Sequence, residues 1–243
     1  SAEGVMLLDP FVLDALLGVV GPVTVEGEEY SQGMALEYLL KGQYAQFGPD
    51  AEGTDARRDQ LSIIAGAVLE RVQTGNFDPV QLVKAMRPMI SGRHLMLYSS
   101  NPAEQAGWEA IGVDGGLSGT ETGVYVMNLG ASKLDPYIAV DVQVSTTQAD
   151  PAGLRAVRYR VTVTHTVAET SNLPDYVVGP WDGFPLPARG TYHARLLVHA
   201  PGTSGGLRFE PERILEVYGA DGPVWVMASR FQLLPGESES FEV

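Results

Sequence analysis

The chain has 243 residues, of which 16 are basic and 30 acidic, and its formal net charge of −14 disfavours non-specific binding to nucleic acid or anionic lipid. It has no cysteine, which excludes a disulfide framework, a thiolate metal site and a cysteine nucleophile. No apolar run approaches the roughly 18–20 residues that span a bilayer, and the opening SAEGVMLLDP is neither basic nor long enough for a signal peptide, so we expect membrane attachment only through a segment outside this chain.

Short strands alternate with helices in the predicted structure of the first half of the chain. The apolar run 3–8 predicts a buried strand, and Asp9-Pro10 is typical of the start of a helix. The stretch 41–53 is rich in glycine, acidic residues and glutamine, so we predict a long loop there, and long loops in compact domains are often functional. Three further predicted elements are a helix from Asp78-Pro79, a strand over 93–98 and a helix from Asn101-Pro102.

The stretch 54–72 predicts the helix around which this half is built. Its apolar residues recur at helical spacing and form one face, made of Leu61, Ile64, Ala65, Val68 and Val72. Thr54 or Asp55 is the predicted N-cap, because a short side-chain oxygen accepts hydrogen bonds from the free amide groups of the first turn. Gly75 is a stop signal at the other end.

The pattern changes near Tyr137, where apolar and polar residues begin to alternate with a period of two. This alternation predicts antiparallel strands with one buried face. The predicted strands cover 138–145, 157–165, 191–199, 214–219, 223–230 and 238–243. No long helical pattern interrupts them, which favours a β-sandwich of immunoglobulin-like type without its disulfide. We therefore predict an α/β or α+β domain over 1–134, followed by an all-β immunoglobulin-like sandwich over 135–243.

The four histidines, His94, His165, His193 and His199, form no HExxH or other close metal-ligand pattern. His193 and His199 would lie roughly 20 Å apart along one strand and could not share a metal. Packing within strands is the expected role of all four. GxSxG, P-loop and GxGxxG motifs are also missing from the sequence. We therefore predict no metal, no cofactor and no catalytic residue.

Lys41, Arg57 and Arg58 are the candidate anion-binding residues. Positive charge in the first turn of a helix opposes the helix dipole by about 0.3–1 kcal/mol per residue, so the two arginines should have partners. If the predicted loop before them folds back, all three cations could converge on a phosphate. The alternative is a set of salt bridges to the nearby acidic residues Asp50, Glu52, Asp55 and Asp59.

Ser132, Lys133 and Asp135 lie in the segment GASKLDPY at the predicted domain junction. A Ser–Lys pair can act as a nucleophile and its base. The alternative interpretation is a polar hinge in which Lys133 pairs with Asp135. The sequence leaves both possibilities open.

Several stretches, in their order along the chain, carry a resemblance to a known family. They are EGVMLLDPFVLDALLGVVGPVTV, GRHLMLYSSNPAEQAG, GASKLDPYI, LPDYVVGP and GTYHARLLVHAPG. Together they resemble the bacterial domain-of-unknown-function 4012 family over nearly the whole chain. The resemblance implies an extracytoplasmic cell-envelope protein that is membrane-anchored upstream and has no established activity. It also implies that the family's N-terminal part lies outside this chain.

A more distant resemblance covers the first half of the chain alone. The stretches 9–23, 33–38 and 55–60 are similar to the second half of the LytR–CpsA–Psr core. Those proteins transfer glycopolymers from polyprenyl-pyrophosphate carriers to the cell wall, and arginines grip the pyrophosphate. The resemblance therefore implies an anion-clamping role for Arg57 and Arg58, which align with a pair of those arginines after a slip of one position. At 40–42 this chain departs from the pattern, because Leu-Lys-Gly stands where arginines are expected.

Three hypotheses for function follow. The leading one is an extracytoplasmic, non-enzymatic cell-envelope protein that binds or scaffolds the assembly of cell-surface glycopolymers, with a cell-wall glycopolymer or its polyprenyl-pyrophosphate carrier as partner. The alternative is an enzyme that handles polyprenyl-pyrophosphate-linked glycan, with Arg57 and Arg58 as clamps and Lys41 assisting. The third is a purely structural stalk, whose fold no ligand would stabilise.

Overall fold

The computed structural model describes five stretches of the chain: 3–117, 119–151, 155–179, 188–204 and 206–243. The protein is a mixed α+β structure with several antiparallel sheets, which confirms the mixed fold class predicted from the sequence. It divides into two compact units, Ser1–Gly116 and Leu117–Val243. This division lies before the predicted boundary at 134/135, because the strand Gly123–Asn128 pairs within a sheet of the second unit.

Strands and helices alternate in the first unit. Its strands are β1 (Gly4–Leu8), β2 (Val23–Val25), β3 (Glu28–Tyr30) and β4 (Leu95–Ser99). Its α-helices are α1 (Pro10–Val20), α2 (Met34–Glu37), α3 (Gln43–Gln46), α4 (Ala51–Thr74), α5 (Pro79–Ser91) and α6 (Pro102–Ala110). Strand β1 pairs antiparallel with β4, and β2 pairs with β3, so the unit has two small two-stranded sheets.

The core of the first unit lies where α1, α4 and the β2–β3 hairpin meet. Its buried residues are Val12, Leu13, Leu16, Leu17, Val23, Val25, Tyr30, Ala35, Leu39, Ile64 and Val68. Ile64 and Val68 are fully buried, as their helical spacing predicts, whereas Leu61 is 39% exposed. Only part of the predicted apolar face of α4 therefore contributes to the core.

The predicted loop over 41–53 is wrong, because most of this stretch is helical. A π-helix (Tyr38–Gly42) runs into α3, and α4 already begins at Ala51. Asp50, rather than Thr54 or Asp55, is the N-cap of α4, and its side chain accepts a hydrogen bond from Gly53 N at 2.7 Å. A π-turn adds a residue to the helical repeat, so a periodicity of 3.6 does not continue through it and the sequence reads as irregular.

The predicted burial of the first strand is also wrong. Strand β1 forms, but Val5, Met6 and Leu7 are 52–58% exposed. Its partner β4 is the only strand that pairs with it in the described part of the chain. A two-stranded ribbon has no sheet neighbours to extend its core, so an apolar run alone does not predict burial.

Two antiparallel sheets make up the second unit. Its elements are β5 (Gly123–Asn128), β6 (Ile138–Thr146), β7 (Val157–His165), α7 (Asp175–Val178), β8 (Tyr192–Pro201), β9 (Val217–Asp221), β10 (Val224–Leu233) and β11 (Ser238–Glu242). One sheet has the order β5-β8-β10-β9, and the other has the order β11-β7-β6. The sheets contact each other through Phe231 of β10 and Phe241 of β11, whose ring centroids are 5.2 Å apart.

Strand β6 differs from the strand with one buried face that its alternation predicts. It lies at the edge of its sheet, and Val140, Val142 and Val144 are 45%, 41% and 59% exposed. The residues opposite the first two of them on β7, Val163 and Val161, are fully buried. The alternation correctly predicts a strand with its valines on one face. That face is buried at β7 but remains exposed to solvent at β6.

Candidate functional site

Arg57 is held inside the first unit by backbone carbonyl groups. The residue is 7% exposed, and its guanidinium donates to Gly48 O at 2.6 Å and to Phe47 O at 3.3 Å. It also donates to Thr54 Oγ1 at 2.9 Å and lies 5.5 Å from the ring centroid of Tyr44. Carbonyl dipoles offset the cost of burying the charge. Arg57 therefore ties the first turns of α4 to the end of α3.

Lys41 and Arg58 each pair with an acidic residue on their own helical segment. Lys41 Nζ lies 3.0 Å from Glu37 Oε2, four residues earlier. Arg58 Nη1 lies 3.4 Å from Asp55 Oδ1, and both side chains are more than 70% exposed. The three candidate cations thus have three different sets of partners. The salt-bridge interpretation fits Arg58 and Asp55, while Arg57 uses carbonyl groups that the sequence did not point to.

The structure gathers Ser132 and Asp135 around the amide of Asn128. Asn128 Nδ2 donates to Asp135 Oδ2 at 2.9 Å and lies 3.3 Å from Ser132 Oγ. Asp135 Oδ1 accepts a hydrogen bond from the buried hydroxyl of Tyr192 at 2.9 Å. No ion pair joins Lys133 to Asp135 in the described part of the chain, and the main-chain N–H of Lys133 donates to Val177 O at 2.8 Å. These bonds hold the loop after β5 in place.

Burial and the neighbouring Asp135 carboxylate raise the pKa of Tyr192 above its ordinary value. Burial is the larger cause, because the phenolate would lose its hydration inside the sheet. The phenol therefore stays protonated and acts as a hydrogen-bond donor. The two contacts with Asn128 and Tyr192 give Asp135 a structural role in the second unit.

His94 and Asp9 form a contact that the sequence analysis missed. His94 Nδ1 lies 2.6 Å from Asp9 Oδ2, while Asp9 Oδ1 accepts from Phe11 N at 2.9 Å as the N-cap of α1. The imidazole also lies 4.8 Å from the ring of Phe11. Leu8 is paired with Leu95 across β1 and β4, so the next residues along the ribbon face each other. The sequence could have predicted this contact only if the two predicted strands had been paired in the correct register.

His165 is fully buried and has partners for both ring nitrogens. Nε2 lies 3.1 Å from Gly190 O, which only an N–H can satisfy, and Nδ1 accepts from Val167 N at 3.4 Å. Burial lowers the pKa of His165 below its ordinary value, and the bond to Gly190 opposes this only in part. The histidine is neutral and structural, in agreement with the role expected from the sequence.

A groove of about 650 Å³ lies between α1 and α5. Its lining includes the small residues Ala15 and Gly18, and a Cβ atom on Gly18 would lie 2.6 Å from Gln32 Oε1. Gln81 and Lys84 supply polar groups to the same lining. No aromatic side chain lines this groove among the described residues, so it offers hydrogen bonds but no stacking surface.

A second cleft, of about 500 Å³, lies in the second unit, and we call it the aromatic cleft. It is lined by Leu207, Arg208, Phe209, Glu212, Arg213, Leu215 and Tyr218. The segment that forms its wall is fixed to the sheets at several points. Phe209 is 4% exposed, and Arg213 Nη1 lies 2.6 Å from Glu239 Oε1 with its guanidinium over the ring of Phe241.

Tyr218 is the exposed aromatic surface of this cleft. The residue is 53% exposed, and its ring lies 5.7 Å from that of Trp225 at an angle of 33°. On the cleft wall, the side chain of Arg208 is 82% exposed and its Nη2 lies 2.5 Å from Glu210 Oε1. An aromatic face beside a guanidinium and carboxylates can bind a molecule that is apolar on one face and rich in hydroxyl groups at its edges. In the sequence, Tyr218 and Trp225 are predicted only as parts of strands, and Arg208 and Glu210 lie outside every predicted element.

The protein is thus a mixed α+β structure with two compact units and a surface cleft in each of them. No three histidine or acidic side chains in the described ranges are grouped to hold a metal ion. No helix in those ranges is long and apolar enough to cross a membrane. Comparisons with protein-family models, with curated proteins and with solved structures find no match for this chain.

Proposed function

We propose that this protein is an extracytoplasmic cell-envelope protein that binds the glycan part of a cell-surface glycopolymer. The observation that carries the proposal is the aromatic cleft, whose lining includes both Tyr218 and Arg208, with the ring of Trp225 packed against that of Tyr218. The C–H-rich face of a sugar ring packs on an aromatic ring, while guanidinium and carboxylate groups bond its hydroxyls. The resemblance to the domain-of-unknown-function 4012 family supports the compartment and an anchor outside this chain.

The finer fold assignment belongs to the same proposal. The second unit, with its two antiparallel sheets in contact, would be an immunoglobulin-like sandwich. The first unit would be a partial LytR–CpsA–Psr-like domain. The immunoglobulin-like assignment of the second unit is supported by its pair of sheets, with orders β5-β8-β10-β9 and β11-β7-β6. The LytR–CpsA–Psr-like assignment of the first unit is supported by sequence similarity alone.

The charge of the protein favours a neutral stretch of glycan over an anionic one. The net charge of −14 repels polyanions at long range, although a screening length of about 8 Å at physiological salt limits this effect. Arg208 is a local exception, but Glu210 already neutralises part of its charge. We therefore place neutral sugars, rather than phosphates, in the aromatic cleft.

The enzymatic alternative requires Arg57 and Arg58 to grip a pyrophosphate. Arg57 would first have to release Gly48 O and Phe47 O, which would lose their charged donor. Arg58 and Lys41 are paired with acidic residues, and these exposed pairs are weak. The contacts thus favour glycan binding over pyrophosphate handling. A thermal melt with a short polyprenyl pyrophosphate and magnesium, run beside the Arg57→Ala/Arg58→Ala variant, separates the two.

Binding to isolated cell walls tests the proposal. We expect the protein to sediment with cell walls that carry their glycopolymers and to stay in solution with walls stripped of them. Tyr218→Ala should weaken this binding about tenfold, which corresponds to ~1.4 kcal/mol. Tyr98→Ala is the matched control, because Tyr98 is 56% exposed and lies in the first unit.

Two results would contradict glycan binding at the aromatic cleft. One is equal binding to intact and stripped walls, and the other is an equal effect of Tyr218→Ala and Tyr98→Ala. Localisation of the full-length protein to the cytosol would overturn the compartment. Arg208→Gln, compared with Arg58→Gln as an exposed control in the first unit, tests the guanidinium separately.

A further inference from the structure

Strand β6 (Ile138–Thr146) is an exposed sheet edge that lacks the usual protection against pairing. It has nine residues and is hydrogen-bonded to β7 on one side only in the described part of the chain. Alternate N–H and C=O groups along such an edge point outward and can accept another strand. Edge strands are normally blunted by lysine, proline or a bulge. The sequence IAVDVQVST contains neither lysine nor proline, and its one charged residue is Asp141.

An uncovered apolar stripe runs along the same strand. Val140, Val142 and Val144 point to the face on which Val161 and Val163 are buried, yet they are 41–59% exposed. The edge therefore offers both main-chain hydrogen bonds and apolar side chains at a spacing of two residues. An antiparallel strand with the same alternation would satisfy both.

We propose that β6 pairs with β6 of a second copy of this chain across a two-fold axis, which joins the two three-stranded sheets into one of six strands. An antiparallel pair of identical strands is self-complementary, as a two-fold interface requires. Since the axis stands perpendicular to the sheet, the valine stripes of both copies lie on the same face. The valines of each copy then contact those of the other copy on the side that β7 leaves open.

The charge of Asp141 disfavours one register, and the central position of Val142 in the nine-residue strand favours another, because an axis there pairs the whole strand. An axis through Asp141 would place this carboxylate opposite its own copy, and like charges directly opposite each other destabilise a strand pair. An axis through Val142 places Val140 opposite Val144 of the second copy and Asp141 opposite Gln143 of the second copy. Within one chain Gln143 Nε2 already donates to Asp141 Oδ2 at 3.2 Å, so the same amide can donate across the axis.

The size of the interface predicts a weak dimer. One pair of nine-residue strands buries less than the roughly 1,200 Å² of total area at which stable interfaces begin. We expect reversible association that depends on protein concentration. Sedimentation-velocity and equilibrium ultracentrifugation of the full chain, from low to high micromolar concentration, would show a monomer–dimer equilibrium without larger species.

Charge substitutions at Gln143 provide the sharpest test. Gln143→Lys would place an ammonium opposite Asp141 of the second copy at two symmetric points and should tighten the dimer about two- to thirtyfold. Gln143→Glu would place two carboxylates opposite each other and should weaken it by a similar factor. Gln143 also lies opposite Arg160 of its own β7, so the lysine should slightly lower and the glutamate slightly raise the melting temperature of the monomer. These shifts are opposite in sign to the expected effects on the dimer, which keeps the two effects distinguishable.

Val142→Lys should abolish the dimer, because a lysine at the centre of an edge strand opposes pairing. Met6→Lys is the matched control, since Met6 is 52% exposed on β1 of the first unit and should leave the association unchanged. A protein that stays monomeric at every concentration would overturn the proposal. So would a dimer that survives Val142→Lys, or one that responds equally to Gln143→Lys and Gln143→Glu.

Discussion

Asp9 and His94 are joined at 2.6 Å although 85 residues separate them in the chain. The two oxygens of Asp9 have different partners, because Oδ1 caps α1 while Oδ2 contacts the imidazole. The main-chain N–H of Asp9 also donates to His94 O at 3.2 Å. One aspartate thus connects the start of the first helix to the segment that leads into β4.

Asp9→Ala should destabilise the first unit more than the loss of a helix cap alone. A cap is worth about 0.5–2 kcal/mol, and the bond to His94 adds about 1 kcal/mol. Asp78→Ala is the matched control, since Asp78 caps α5 through a bond from Val80 N at 2.8 Å and is likewise followed by proline. Urea denaturation measures the free energy of unfolding of both variants. Equal losses would mean that the His94 contact contributes nothing.

Arg57→Met should lower the free energy of unfolding by about 1–3 kcal/mol, because it removes the charged donor of the part-buried hydrogen bonds to Phe47 O and Gly48 O. Arg57→Lys should recover only part of this loss, since an ammonium cannot reproduce the planar fork that reaches Gly48 O and Thr54 Oγ1 together. Arg58→Met, one residue away and exposed, should change stability by no more than about 0.5 kcal/mol. Chemical denaturation of the three variants would contradict the structural role of Arg57 if they unfolded alike.

Stability should fall as the pH drops below about 6.5, in part because of His165. Its pKa is lowered by burial, so the folded protein keeps the ring neutral while the unfolded chain takes up a proton near the ordinary value of 6.5. The contribution is complete above that pH and is lost on going below it. His165→Gln should flatten the dependence of the free energy of unfolding on pH between about pH 7.5 and about pH 5.5.

His193→Gln serves as the comparison for this pH effect. The pKa of His193 is lowered by burial and then by the charge of Arg230, with Glu216 opposing the shift. Its ring is only partly buried, so its effect has the same sign but should be smaller. A pH dependence that is unchanged in both variants would show that neither histidine is kept neutral by folding.

Tyr192→Phe should cost about 1 kcal/mol, the usual net value of a buried hydrogen bond, because Asp135 keeps its bond from Asn128. The same contact predicts an alkaline limit to stability. Since the pKa of Tyr192 is raised in the folded protein, the unfolded chain loses this proton first as the pH rises above 10. Stability should therefore decline above that pH, and less so in Tyr192→Phe. The difference in tyrosinate absorbance between the unchanged protein and Tyr192→Phe would show whether Tyr192 titrates late.

Several elements could be predicted from the sequence because their determinants lie within a few residues. Asp9, Asp78 and Asn101 each precede a proline, and each is found as the N-cap of a helix. The alternating stretches become strands, and the whole chain has the mixed fold class that these patterns predict. A cap needs a side chain and an amide two or three residues apart, and a strand needs alternation along one segment. Such features do not depend on where the rest of the chain lies.

Only the tertiary structure decided which of these elements are covered and which side chains meet. The valines of β6 alternate as a buried strand does, but the strand lies at an edge, and nothing in its own residues encodes that place. Arg57 donates to main-chain carbonyl groups rather than to an anion. Tyr218 and Arg208, ten residues apart in the chain, line the same aromatic cleft. Burial and long-range contacts depend on segments far apart in sequence, so local patterns determine the elements but not their neighbours.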